Sequence, residues 1–159
     1  MRWFLISAGV LTLVLLAITT YWQNVSDAVQ YKITVVETET EIWEVVDRAV
    51  STHDYTKAGS MDELEQILAR TYAGPLLSSL TGELWQEWPS DNVVQAEVVD
   101  RCSIEIYGND ARAVVGVYFP DWTDGSEWYG TGAFELARLK SGWRIVDHSF
   151  EWHQKLRLD

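Results

Sequence analysis

The sequence predicts an α+β fold in which an N-terminal transmembrane helix precedes three helices and a bent four-stranded antiparallel sheet. Up to about residue 88, apolar side chains recur with the 3.6-residue period of a helix; from about residue 93 they recur with the two-residue period of a strand. Residues 128–152 read as two long strands joined by a turn at 140–142. Because the helices precede the strands and do not alternate with them, the order favours helices laid over the concave side of an antiparallel sheet.

The N-terminal segment has the length and composition of a membrane span. Residues 3–22 carry no charge, and a helix of ~20 apolar residues crosses a ~30 Å hydrocarbon core. Trp3 at one end and Trp22 at the other suit the aromatic belts of a membrane. The short basic start, the long apolar run and a poor cleavage site at residues 17–19 favour a retained single-pass anchor over a cleaved signal peptide. Arg2 favours a cytoplasmic N-terminus and an extracytoplasmic C-terminal domain.

Charge and cysteine content narrow the possible partners. We divide the chain into an anchor (1–26), a juxtamembrane linker (27–37) and an α+β domain (38–159). Arg2 is the only charged side chain of the anchor, so the remainder carries 11 Lys and Arg against 24 Asp and Glu, a net charge of −13. Phosphate backbones would repel this charge, so no nucleic acid partner is expected. The single cysteine, Cys102, excludes an internal disulfide and is expected to be a small core residue.

Two capping boxes mark predicted helix starts. T-E-T-E from residue 38 and S-M-D-E from residue 60 each place a hydroxyl three residues before a glutamate. They predict a first helix over 38–52, a polar loop over 53–59 and a second helix from residue 61. Gly74 is expected to end the second helix, and Pro75 to open the third.

The period of two predicts four strands. The first covers 93–107 and the second 111–119, with a turn at 108–110; Gly142 supplies the positive φ that the turn of the last hairpin requires. The expected core residues are Leu80, Val98, Val115, Phe134 and Ile145.

With its helices first and its last strands reading F-E-L-x-R-x-K-S-G-W-R-I-V-D, the chain resembles the nuclear transport factor 2-like superfamily. The residues that carry the resemblance are Tyr129, Phe134, Leu136, Gly142, Trp143, Ile145 and Asp147. The resemblance implies a cone-like domain. It also implies one of two kinds of function. Membrane-tethered members, such as bacterial type IV secretion scaffolds and Mce-associated membrane proteins, are mostly interaction modules, whereas SnoaL-like cyclases and ketosteroid isomerase are enzymes.

Asp100 is the first candidate catalytic residue. An isomerase-type site needs a carboxylate base in an apolar pocket, and strict alternation places Asp100 on the apolar face of the first strand, between Val98 and Cys102. If Asp100 is structural instead, either a bulge turns it outward or an arginine, Arg112 or Arg138, pairs with it.

Asp147 and His148 are further catalytic candidates on the last strand. Asp147 shares a face with Trp143 and Ile145 if no bulge intervenes, and His148 then lies on the opposite face. Each could line the mouth of a cone or be a satisfied polar residue.

Three aromatic residues are candidate binding residues. Trp122 and Trp128 flank the loop after the second strand, and Tyr129 follows them. Exposed aromatic side chains at a loop rim could anchor a partner, and the alternative is that they cap the end of the sheet.

The anchor, the acidic surface and the absence of a catalytic motif favour a membrane-tethered, extracytoplasmic binding or scaffold module. Its expected partners are proteins, among them membrane-complex subunits or a second copy of the chain. The alternative is a small isomerase or dehydratase-like enzyme, or a small-ligand binder, that uses a pocket carboxylate. No cofactor and no metal site is predicted.

Overall fold

The structure, a computed structural model, describes residues 2–51, 54–86, 96–120 and 126–154, with the side chains of the first helix described from Thr19 onward. The chain divides into two compact units, Met1–Glu39 and Thr40–Asp159. The elements are helix α1 (Arg2–Ser51), a 3-10 turn (Asp54–Lys57), helices α2 (Met61–Leu68) and α3 (Gly74–Gln86), and strands β1 (Glu97–Tyr107), β2 (Asp110–Pro120), β3 (Glu127–Leu139) and β4 (Gly142–Gln154). The predicted α+β class and element order are confirmed.

The first unit belongs to α1. Most of the predicted span, residues 3–22, falls where side chains lie outside the described part of the chain, so the anchor stays a prediction. Within the described residues, no helix combines the length and the apolar character needed to cross a membrane. From Thr19 onward this unit exposes several large apolar side chains, including Tyr21, Trp22 and Tyr31.

The predicted helix start at Thr38 is wrong, because α1 passes through this position without a break. The Thr38 hydroxyl donates to the Thr34 carbonyl at 2.9 Å, so it bonds back along the helix and does not cap it. A capping box caps only where the preceding chain is not helical, and here residues 27–37 are already helical.

The second capping box behaves as predicted. Ser60 is the N-cap of α2, and its Oγ accepts a hydrogen bond from the backbone N–H of Glu63 at 3.2 Å. The Glu63 carboxylate reaches back to the N–H of Gly59 at 2.9 Å. These bonds satisfy donors that the first turn of a helix leaves open.

Gly74 opens α3 and does not close α2, contrary to the prediction. Helix α2 ends at Leu68, and Gly74 has a φ of 64°. Between the two helices the chain pairs briefly with β4: the N–H of Ile145 donates to Thr71 O, and the N–H of Ala73 donates to Ile145 O, both at 2.9 Å. This bridge docks the α2–α3 connection against the sheet.

The sheet is an antiparallel meander in the order β1-β2-β3-β4. Gly142, with a φ of 102°, lies in the β3–β4 turn as predicted. Register shifts occur in β1 between Val98 and Asp100 and between Arg101 and Ser103, and a third occurs in β4 opposite Glu135 and Leu136. Such bulges bend a sheet and re-aim the side chains beside them.

The core of the second unit lies between α1 and one face of the sheet. Its members are Ile42, Val45, Val46 and Val50 of α1 together with Ala111, Ala113, Val115, Val117, Phe134, Leu136, Trp143 and Ile145 of the sheet. A smaller cluster of Ala58, Leu64 and Leu68 lies under α2 and α3. The core prediction is confirmed for Val115, Phe134 and Ile145, whereas Leu80 and Val98 are half-buried.

Candidate functional site

Asp100 lies on the outer face of the sheet, away from the core. The first register shift passes over Val99, so that Asp100 is opposite Gly116. Asp100 is exposed, and its Cβ is 3.2 Å from the position that a Cβ on Gly116 would occupy. The prediction that Asp100 faces the apolar side is therefore wrong, and the alternative that a bulge turns it outward holds.

Arg101 takes the inward position that the alternation had assigned to Asp100. It is opposite the buried Val115; its Nη2 lies 2.6 Å from Asp47 Oδ2, and its Cζ is 5.5 Å from the centre of the Trp43 ring. The second shift leaves Cys102 exposed, so its assignment to the core is also wrong.

The arginines proposed as partners of Asp100 make other contacts. Arg112 Nε is 3.6 Å from Glu135 Oε1 on the outer face, and Arg138 Cζ is 6.0 Å from the centre of the Trp143 ring. The expected buried ion pair of Asp100 is therefore not formed with either of them.

A third bulge, at Val146, exchanges the predicted faces of Asp147 and His148. Asp147 is opposite Glu135 and is exposed, whereas His148 is opposite Phe134 on the core face. The expectation that Asp147 shares a face with Trp143 is therefore wrong.

His148 is half-buried among aromatic rings. Its ring centre lies 6.2 Å from that of Tyr72, 6.3 Å from Phe134 and 5.4 Å from Phe150. Burial lowers the pKa of His148, and the nearby carboxylates of Asp147 and Glu83 oppose that shift. The neutral imidazole therefore behaves mainly as a packing residue.

The predicted aromatic binding residues have different surroundings. Trp122 lies outside the described residues. Trp128 is half-buried, donates from Nε1 to Ser126 Oγ at 3.0 Å, and lines an apolar cavity of about 320 Å³ at one end of the sheet. Tyr129 is exposed on the outer face, with its ring centre 4.9 Å from that of Tyr118.

A second and larger cavity lies elsewhere in the second unit, between the last turns of α1, the 3-10 turn, α2, α3 and the β3–β4 turn. Its volume is about 770 Å³. Its apolar wall is formed by Val45, Ile67, Leu68, Leu80 and Leu84. None of the predicted catalytic or binding residues lines it.

Three guanidinium groups line this cavity, which we call the arginine cavity. Arg48 Nη1 donates to the Arg70 carbonyl at 3.1 Å. Arg144 donates from Nε to the Ala69 carbonyl at 2.8 Å and from Nη1 to the Trp143 carbonyl at 2.7 Å. These bonds fix the side chains of Arg48 and Arg144 against the backbone, and they leave the positive charges without carboxylate partners.

Arg48 and Arg144 are close enough to repel each other. Burial lowers the pKa of Arg144, and the charge of Arg48 lowers it further, although a guanidinium stays protonated in proteins. Glu44 stands four residues before Arg48, a spacing that favours a helical ion pair, but in the described ranges the ion pairs involve other side chains. Asp54, which also lines the cavity, pairs with Lys57 at 2.8 Å.

Two aromatic side chains also line the cavity. Trp143 is 2% exposed, and its indole Nε1 is shielded from solvent and has no hydrogen-bond partner among the described residues. The hydroxyl of Tyr72 donates to the Ala49 carbonyl at 3.5 Å, and burial raises the pKa of Tyr72 to about 12.

Comparison with solved structures identifies the fold. A protein from Kribbella flavida is 18% identical with a TM-score of 0.55, and the match covers 77% of this chain and 95% of that one. A nuclear transport factor 2-like superfamily protein from Salmonella enterica is 16% identical, also with a TM-score of 0.55, over 78% and 96% of the two chains. This chain has the nuclear transport factor 2-like fold.

Identities this low show the fold alone. The structure of a proposed aromatic ring hydroxylase from Novosphingobium aromaticivorans is also similar, at 13% identity and a TM-score of 0.51 over 76% of this chain and 95% of that one. No protein-family model and no curated protein matches the sequence. The superfamily resemblance that the last two strands suggested is confirmed at the level of fold.

The chemistry of the arginine cavity suits binding. Guanidinium groups and a tyrosine with a raised pKa donate hydrogen bonds, but none of them exchanges a proton readily near neutral pH. Among the described residues, no cluster of three or more His, Cys, Asp or Glu side chains could hold a metal ion.

Proposed function

We propose that this chain is a membrane-tethered binding module that acts outside the cytoplasm and receives a segment of a partner protein in the arginine cavity. The observation that carries the proposal is the cavity itself. Its volume of about 770 Å³ lies within the ~300–1,000 Å³ of typical ligand sites, and it combines apolar walls with a few placed polar groups.

The positions of the candidate carboxylates support binding over catalysis. A general base of the isomerase type needs an apolar pocket that raises its pKa. Asp100 and Asp147 are exposed on the outer face of the sheet, where water solvates them. The carboxylates that line the cavity, Glu41, Glu44 and Asp54, are also exposed.

The membrane tether is part of the proposal and rests on the sequence. Residues 3–22 carry no charge, and Arg2 precedes them, which favours a cytoplasmic N-terminus. A tethered module binds its partner at the raised local concentration of the membrane surface, so a modest affinity suffices.

Site-directed photo-crosslinking in membranes of the cells that produce the protein tests the proposal. A benzoylphenylalanine at Ser141, which is exposed at the rim of the cavity, should capture a discrete partner; the same group at Ser103, exposed on the outer face, should not. Leu84→Arg, which places a charge in the apolar wall, should abolish the product from Ser141.

Two outcomes would contradict the proposal. One is equal capture from Ser141 and Ser103, which would place the partner away from the cavity. The other is a product from Ser141 that survives Leu84→Arg in a folded protein, because the cavity would then not hold the partner.

A further inference from the structure

We infer that the arginine cavity recognises a carboxylate carried on an apolar body. This inference rests on the proposed function and adds the chemical class of the group that the cavity binds. The carboxylate binds at the three guanidinium groups, and the apolar body packs against the apolar side chains of α1, α2 and α3.

The first argument is the placement of positive charge in an acidic chain. The whole sequence has 12 Lys and Arg against 24 Asp and Glu, yet Arg48, Arg70 and Arg144 line one cavity. None of the three forms an ion pair among the described residues, although the charge of Arg70 contributes, after that of Lys57, to a lowered pKa of Asp54. Holding like charges together is unfavourable unless an anion joins them, and a planar guanidinium matches a carboxylate with two parallel hydrogen bonds.

The second argument concerns the charge of the ligand. Glu41, Glu44 and Asp54 also line the cavity, so three carboxylates formally balance the three guanidinium groups, and Asp54 also pairs with Lys57. A lining with this balance favours a monoanion bound at the guanidinium groups over a phosphate dianion. Val45, Leu80 and Leu84 then favour an apolar group next to the anion.

The test compares two matched pairs of probes on the full-length protein in detergent, by calorimetric titration. One pair is naphthalene-1-acetate and its neutral amide, which differ only in the anionic group. The other is N-acetyl-Leu-Phe as the free acid and as the C-terminal amide, which represents the end of a partner chain. In at least one pair, the acid should bind tenfold or more tightly than the amide, and added salt should reduce the difference.

Variants test whether the arginines of the cavity cause the preference for the acid over the amide. Arg70→Gln removes an exposed guanidinium whose side chain makes no hydrogen bond among the described residues, and it should reduce the preference for the acid at least fivefold while the amide binds as before. Arg48→Gln should have the same effect. Arg112→Gln is the matched control, because Arg112 pairs with Glu135 on the outer face.

The outcomes separate the inference from the proposed function. Equal binding of acid and amide would leave the binding module standing and refute carboxylate recognition. A preference for the acid that survives both Arg70→Gln and Arg48→Gln would also refute it. A preference confined to the naphthalene pair would support the carboxylate but contradict a protein segment as its source. If none of the four probes binds, carboxylate recognition is refuted, and the crosslinking from Ser141 decides the proposed function separately.

Discussion

Truncation of Phe134 tests the assignment of the core face of the sheet. Phe134 is 1% exposed, and its ring meets that of Phe150 edge-on at 5.5 Å. Replacing a buried phenylalanine by alanine costs about 3–5 kcal/mol, because burial is lost and a cavity remains. Its cross-strand neighbour Ala113 and the nearby Gly132 are too small to fill the gap, so we expect the upper half of that range.

The measurements are urea unfolding and thermal unfolding of the full-length protein in detergent, both followed by circular dichroism. For a unit of about 120 residues, a loss of about 4–5 kcal/mol lowers Tm by about 12–20 °C. Phe134→Leu should lose only about 1–1.5 kcal/mol and remain measurable if the alanine variant does not fold. Thr131→Ala, exposed on the other face of β3, is the control and should stay within about 0.5 kcal/mol. A loss below about 1 kcal/mol for Phe134→Ala would refute this assignment.

Four further predictions follow from the bulges, the histidine and the anchor. Asp100→Asn should change the free energy of unfolding by less than about 0.5 kcal/mol in urea titrations, since the side chain is exposed. A loss above about 2 kcal/mol would indicate that the Asp100 side chain lies on the core face. Gly130→Ala should cost about 1–3 kcal/mol, because its Cβ would collide with the Glu151 carbonyl; an unchanged Tm would contradict that contact. Burial lowers the pKa of His148 below its usual 6.5, so the neutral form favours the fold above that pH and the contribution is lost as pH falls. Between pH 7.5 and 5.5 the wild type should therefore lose more stability than His148→Gln, and equal losses would refute the shift. Residues 3–22 should remain in the mature protein and hold it in the membrane fraction through alkaline extraction, whereas a mature start near residue 20 in a soluble protein would refute the anchor.

The sequence predicted the order of elements well because the change of period is a local property. Where the apolar spacing changes from helical to alternating, the positions of the apolar side chains indicate which face of the helix or strand is buried. Ser60 and Gly142 were predictable for the same reason, since a cap and a turn are settled by a few neighbouring residues. Thr38 shows the limit, because the helix that precedes it overrides its capping potential.

The bulges were harder to predict, and they decide where the candidate carboxylates point. Each one displaces the alternation by a residue, so everything beyond it changes face. A signal was present: two apolar residues stand side by side at 98–99 and again at 145–146, which strict alternation does not allow. Treating those pairs as bulges would have turned Asp100 and Asp147 outward and His148 inward.

The arginine cavity had no local signal. Arg48, Arg70 and Arg144 lie on α1, on the α2–α3 connection and on β4, and more than twenty residues separate each from the next. Long-range packing brings them together, through the bridge of Thr71 and Ala73 with Ile145. Such a cluster cannot be identified from a single sequence until the fold is known.

The indole N–H signal of Trp143 in a two-dimensional NMR spectrum tests the central claim most directly. The signal is assigned by its loss in Trp143→Phe, and the full-length protein is then titrated with naphthalene-1-acetate and, separately, with its amide. If the cavity recognises a carboxylate, the acid should shift this signal with saturation, because Trp143 lines the cavity, and Arg70→Gln should weaken the response. A Trp143 signal that the acid leaves unmoved, or that acid and amide move equally, would contradict the account.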